Sequence, residues 1–120
     1  MSKNTLSPSD IYALSPAALN AEIARRKGWM RHGYTVWWYP PGEEFTHLPN
    51  WSGDVALAVG LLEETGRGWS IARVSGGTEA FSVYARIGNY VDRHVVGPTL
   101  ALAACRAWVM ADEQKENRDE

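Results

Sequence analysis

The sequence predicts a single-domain α+β protein, an α/β/α sandwich with a small, mostly antiparallel sheet of three or four strands between helices. Three observations carry this. Apolar stretches with helical spacing stand at the beginning, middle and end of the chain, each opened by a capping residue or proline. Between them lie alternating aromatic and β-branched runs bounded by glycine and proline. Finally, 120 residues suit one core, and no linker is long enough to divide them. The expected order is α-β-α-β-β-α, with three helices sufficient to cover the apolar faces of one sheet.

The first principal helix is predicted in "SPAALNAEIARRKG". Ser15 serves as N-cap, Pro16 takes the first helical position, Leu19 and Ile23 are four apart, bases occupy the last turn and Gly28 terminates it. Ahead of it, "SPSDIYAL" predicts a separate short turn of helix that folds Ile11 and Leu14 onto the domain. The run "WMRHGYTVWWYPPG" reads as one strand or a hairpin, stopped by Pro-Pro-Gly. Within it Trp38 faces opposite to Trp37 and Tyr39, so that one side packs under a helix and the other is available.

Asn50-Trp51-Ser52 then forms a rigid elbow into a second helix, which the sequence expects Ser52 to cap with Asp54 in its first turn. Val55, Val59 and Leu62 share one face of that helix, with Ala58 and Leu61 beside it, and Gly66 ends it. "GWSIARVSGGTEAFSVYARIGN" follows as two alternating strands joined around Gly76-Gly77 in an antiparallel hairpin. Phe81, Val83, Ala85 and Ile87 form one set, Ser82, Tyr84 and Arg86 the other, and Arg73 alternates with Trp69 and Ile71. Gly97-Pro98-Thr99 opens a third helix through "LALAACRAWVMA", whose alanines allow close approach to a sheet. Residues 1–14 are thus an extension, 15–111 the folded body and 112–120 an acidic tail.

Composition narrows the function classes. Hydrophobic residues make up 45% and charged residues 22% of the chain, the balance of a soluble globular protein, with six tryptophans as the unusual feature. No apolar run reaches the roughly 20 residues of a spanning helix, and "MSKNTLSPSD" lacks a signal-peptide core, so a cytoplasmic protein without membrane association is expected. The net charge of −2 is concentrated in the tail "DEQKENRDE", read as a solvated, frayed helix end. With a nearly neutral body, non-specific DNA binding, which depends on clustered Lys and Arg, is not expected. Cys105 lies in "LALAACRAW" and is expected to be a small buried thiol.

The motifs "RRKGW", "WWYPPGE", "LPNWSGDVALAVGLLEE", "GWSI" and "GPTLALAACRAW", in this order, resemble the phage ABA-sandwich domain family over roughly Leu19 to Met110. The Pro-Asn-Trp-Ser run at the second helix, combined with the apolar "ALAACRAW" helix, is the most specific part of the match. The resemblance implies a small bacteriophage protein with a sheet between helical layers. Members are mostly of unassigned function, so it transfers no catalytic residue. Small phage proteins often disarm host immunity, in some cases by sequestering cyclic nucleotide or ADP-ribose signals.

Local chemistry favours binding over catalysis. His32, His47 and His94 lack close metal-ligand spacing, and neither Ser52 nor Ser75 stands in a Gly-x-Ser-x-Gly elbow. Glu43-Glu44 and Glu63-Glu64 are adjacent pairs that diverge, and the glycines match no phosphate-binding loop, so neither an enzyme nor a cofactor is expected. For binding, Tyr39, Trp51 and Tyr84 supply planar surfaces for a base, and Arg73, Arg86 and Arg93 supply bidentate donors for phosphates. Backbone N–H groups around Ser52 and Gly53 add an anion site at the second helix, for which Asp54 competes. The expectation is a non-catalytic, homo-oligomeric protein that sequesters a small nucleotide-type host signal. The alternative is an inhibitor or adaptor that binds a host or phage protein through an exposed aromatic patch.

Overall fold

The computed structural model describes residues 6–35, 37–64, 69–73, 81–85 and 93–118; for 69–73, 81–85, 93–94 and 114–118 it describes the backbone alone. The chain is a single-domain α+β protein. It runs α1 (Pro8–Ala13), α2 (Pro16–Arg26), β1 (Met30–Arg31), β2 (Trp37–Tyr39), β3 (Thr46–His47), α3 (Val55–Glu64), β4 (Trp69–Arg73), β5 (Phe81–Ala85), β6 (Arg93–Gly97) and α4 (Leu100–Arg118).

The two N-terminal helices begin where their caps dictate. Ser7 accepts from the Asp10 backbone N–H while the Asp10 carboxylate accepts from the Ser7 N–H, a capping box that starts α1 at Pro8. Ser15 caps α2 in the same way through the Ala18 N–H at 3.1 Å. At its other end the N–H of Trp29 returns to the Ala24 carbonyl and that of Gly28 to Arg25, closing α2 in a Schellman motif.

The second helix starts later than the sequence suggested. Its cap is Asp54, whose Oδ1 accepts from the N–H groups of Ala56 at 3.0 Å and Leu57 at 3.3 Å. Ser52 serves the elbow instead: its N–H donates to Asn20 Oδ1 at 2.9 Å and its hydroxyl to the Pro16 carbonyl at 3.2 Å. Asn20 also donates to Asn50 at 3.1 Å, so one α2 side chain holds both ends of the Asn50-Trp51-Ser52 turn.

Among the described residues the strands form two three-stranded antiparallel sheets, β1-β2-β3 and β4-β5-β6. Of the two forms open to the first run, the hairpin β1–β2 is the one present, and the expected β4–β5 pairing is present in the register Ile71↔Val83. The Gly76-Gly77 connection and Ile87 lie outside the described residues. Two strands come in addition: β3, brought beside β2, and β6, which pairs with β5 through Val83↔Val95. A turn places β3, with Glu43 N–H bonded to the Pro40 carbonyl at 3.1 Å, Pro41 at its second position and Gly42 at its third with φ of 75°. That left-handed backbone is strained for any residue with a Cβ, which accounts for Pro-Gly there.

The core is organised around α4. This helix packs against β5 and β6 and against α1, α2 and α3. To meet so many neighbours it buries nearly every position from Ala101 to Ala111, including Ala103, Ala104, Cys105, Ala107 and Val109. Ile11, Leu19, Ile23, Trp38, Trp51, Leu61, Leu62 and Val95 are among the residues packed with it. Small residues set how closely the layers approach: a Cβ added to Gly97 would lie 2.8 Å from the Ala103 backbone nitrogen, so β6 meets α4 only because residue 97 has no side chain. Burial pushes the Cys105 thiol up to about 12, far from a reactive thiolate, consistent with its reading as core.

One corner of the core is ionic. Arg26, only 9% exposed, donates to Glu22 at 2.8 Å and Asp112 at 2.9 Å, and also pairs with Glu113. The acidic run is therefore not wholly a solvated tail: its first two residues close the α2–α4 contact. Burial alone would weaken the Arg26 charge, yet the hydrogen bonds it donates to Asp112, Glu113 and Glu22 prevail and hold its pKa above the ordinary arginine value. Glu22 follows the same balance, with burial opposing the charge and Arg25 and Arg26 lowering its pKa below 4.5.

Replacing Arg26 by Ala leaves three neighbouring carboxylates without their shared cation and should destabilise the protein by about 3 kcal/mol in urea unfolding at pH 7. The sign with pH follows from Glu22. A lowered folded-state pKa contributes stability above the unfolded value and loses it as pH falls through the folded value. The difference in Tm between wild type and Arg26→Ala should therefore be full at pH 6 and shrink below pH 4.5.

Candidate functional site

The alternation of β2 places Trp38 in the core at 5% exposure and leaves Trp37 and Tyr39 half-buried on the opposite face. The β1–β2–β3 ladder assembles further rings around them. Tyr39 is paired with Met30 and Trp37 with His47 across the ladder, while the His32 N–H donates to the Trp37 carbonyl at 2.9 Å. The Pro40–Glu43 turn then brings Phe45 back over the sheet.

Phe45 is the centre of the resulting cluster. Its ring lies 5.8 Å from His32 in a near-parallel stack, 5.4 Å from Trp37 and 5.7 Å from Tyr39, the last two edge-on. His47 sits 4.2 Å from Trp37, and the Tyr39 hydroxyl hydrogen-bonds His32 Nδ1 at 3.0 Å. These geometries are the offset and edge-to-face arrangements that favour aromatic pairs. The turn beneath is fixed by Thr35, whose hydroxyl donates to the His32 carbonyl and accepts from the Trp37 N–H. Nevertheless the cluster stays open: Phe45 is 50% exposed, Met30 70%, and Tyr34 at the β1–β2 turn is fully exposed.

Among the residues expected to bind a ligand, Trp51 and Ser52 lie in the interior. Trp51 is 5% exposed, packed edge-on against Trp29 at 5.9 Å, and Ser52 is equally buried, so neither presents a surface to a ligand. The N–H of Ser52 goes to Asn20, that of Gly53 to the Asn50 carbonyl, and Asp54 occupies the first turn of α3, which closes the expected anion site from within. On the larger sheet, the register puts Arg73 opposite Phe81 and Arg93 opposite Ala85, in the same alternation set as Val95. Tyr84, opposite Ser70 and His94, belongs to the other set. Arg86 lies outside the described residues. Tyr39 joins the aromatic cluster.

His32, Phe45 and His47 escaped sequence reasoning as members of one site. The usable signal was the period-two spacing of Phe45 and His47 directly after a Pro-Gly turn, which returns them to the Trp37 and Tyr39 side. The arrangement offers planar apolar surface and two imidazoles. Among the described residues, no group of three or more His, Cys, Asp or Glu side chains could hold a metal ion. No described helix is long and apolar enough to cross a membrane.

The fold has a counterpart among solved structures. The chain is similar to a phage protein from Bacillus cereus ATCC 14579, with a TM-score of 0.64 and 16% sequence identity over 92% of each chain. At that identity the likeness concerns the fold. No protein-family model and no curated protein matches the chain.

Two substitutions separate scaffold from surface. Trp51→Ala should cost on the order of 3 kcal/mol in chemical denaturation, because it empties a buried site against Trp29. Phe45→Ser should cost less than about 1 kcal/mol in the same measurement, since half of that side chain already meets water.

Proposed function

We propose that this chain is a bacteriophage protein that works by binding rather than catalysis, docking a host or phage protein through the face formed by Trp37, Tyr39, Phe45, His32 and His47. The observation that carries this reading is the exposed ring cluster itself, centred on Phe45 and extended by Met30 opposite Tyr39. Trp, Tyr, Phe and Met are the side chains enriched at the centres of protein interfaces, where charged residues are depleted. Arg31, Glu43 and Glu44, exposed and adjacent in sequence, suit a polar rim. The phage setting is supported by the similarity in fold to the Bacillus cereus phage protein. Inhibition of a host defence protein is the role most in keeping with that setting.

The nucleotide-sequestration reading has less to draw on. It retains Tyr39, Arg73, Tyr84, Arg86 and Arg93, but the burial of Trp51 and Ser52 takes away one of its three stacking planes and its anion site.

The full chain and its Phe45→Ser and Trp37→Ser variants, immobilised and exposed to lysate of a bacterial host, test both readings. The expected outcome is a host or phage protein retained by wild type and lost at least tenfold by both variants at unchanged far-UV circular dichroism. Equal retention by wild type and variants would remove the aromatic face from the reading. Heat denaturation of protein incubated with nucleotide signals, followed by mass spectrometry, covers the other case: release of an intact nucleotide would favour sequestration. Light scattering on the same preparations reads the oligomeric state.

A further inference from the structure

The outer edge of the second sheet carries a separate inference. β6 pairs with β5 on one side, with Val96 opposite Ser82. In an antiparallel ladder the N–H and C=O of one residue point the same way, and successive residues alternate between the partner strand and the edge. Val96 points to the edge: its N–H donates to the Tyr12 hydroxyl at 3.0 Å and its carbonyl accepts from Arg106 Nη1 at 2.9 Å. Of the other β6 residues only His94 shares that orientation, and the next outward position is Pro98, which has no N–H to offer. Tyr12 and Arg106 therefore take the backbone groups on which any strand added to this edge would have to pair.

The two caps are coupled. The Arg106 guanidinium lies over the Tyr12 ring, 4.9 Å from its centroid, so that an acceptor from α1 and a donor from α4 form one plug. Arg106 Nε is buried without a hydrogen-bond partner among the described residues, which makes the plug a costly way to seal one carbonyl. Its effect on the edge accounts for that cost, because a charge and a covering helix are the devices that keep sheet edges from pairing with other chains. The cover itself is light. α1 has six residues, too few to persist as a helix alone, and it is held down by the buried Ile11 and by Tyr12. Such a segment opens far more readily than the body unfolds.

We propose that Tyr12 and Arg106 form a latch that holds the edge of β6 closed against a second copy of this chain. Two such edges related by a two-fold axis meet antiparallel, with His94 and Val96 of each facing those of the other, and join two three-stranded sheets into one. With the latch in place the backbone groups of Val96 are occupied and the guanidinium stands where the added strand would lie. The latch belongs to the second sheet, and it is independent of the aromatic face.

The test compares the full chain with Tyr12→Phe, which keeps the ring but not the hydroxyl, and with Tyr12→Phe/Arg106→Met, which leaves both backbone groups of Val96 without their partners. Amide hydrogen exchange followed by NMR reads the latch. The Val96 N–H should exchange about tenfold faster in dilute Tyr12→Phe than in wild type, whereas that of Val95, which points to β5, should change less than about twofold. Light scattering across a concentration series reads the pairing: the double variant should reach about twice the wild-type mass, with Val96 regaining protection as it does so. Adding Val96→Pro to the double variant should restore the wild-type mass, because proline at an outward position costs the ladder no bond but takes the donor from an added strand. Unchanged Val96 exchange in Tyr12→Phe, a double variant that keeps the wild-type mass at every concentration, or association that survives Val96→Pro would overturn the proposal. Should the double variant fail to fold, Tyr12→Phe decides alone: its Val96 N–H must exchange faster when dilute and regain protection when concentrated, and failure of either overturns it.

Discussion

One helix has to satisfy most of the molecule at once, and the rest of the structure follows from how it does so. α4 is in contact with α1, α2, α3, β5 and β6, so it has almost no outward face between Ala101 and Ala111. A helix in that position cannot be amphipathic, because any polar stripe would be buried somewhere. Nor can it be uniformly large, because neighbours on several sides need room. Alanine at 101, 103, 104, 107 and 111 meets both conditions. The same constraint explains Gly97, where a strand touches the helix backbone, and makes volume changes along this segment costly in a close-packed interior.

How much of this was legible in the sequence depends on the distance over which each feature is decided. α1 and α2 were legible because Ser7-Pro8, Ser15-Pro16 and Gly28 act within a few residues of themselves. The β4–β5 hairpin was legible from alternation. By contrast, β3 is two residues long and exists as a strand only through its ladder with β2, and β6 takes its identity from β5. The cap of α3 shows the same limit: Ser52 and Asp54 are both good caps, and what settles the matter is Asn20, 32 residues upstream of Ser52. Likewise, nothing near Asp112 and Glu113 in the sequence indicates that their partner is Arg26.

The candidate site divides along the same line. Opposite orientations of Trp38 and its two neighbours followed from strand geometry alone, and they separate core from surface. Assembly of the surface did not follow, since His32, Phe45 and His47 reach it through the Pro40–Glu43 turn and a short ladder. The tryptophans divide between scaffold and surface: Trp51 carries the elbow between sheet and helix, while Trp37 joins the exposed rings around the smaller Phe45.

The small sheet that carries these rings is anchored in the core through Trp38, whereas Trp37, Tyr39, Phe45 and His47 project from the other side of a ladder whose backbone bonds do not depend on their identity. Such a division lets two kinds of selection act on adjacent residues without interfering. Position 38 answers to the fold and is restricted to what fills the interior. Positions 37, 39, 45 and 47 answer to whatever they touch, and can be rewritten in step with a changing opponent while the scaffold beneath them stays the same.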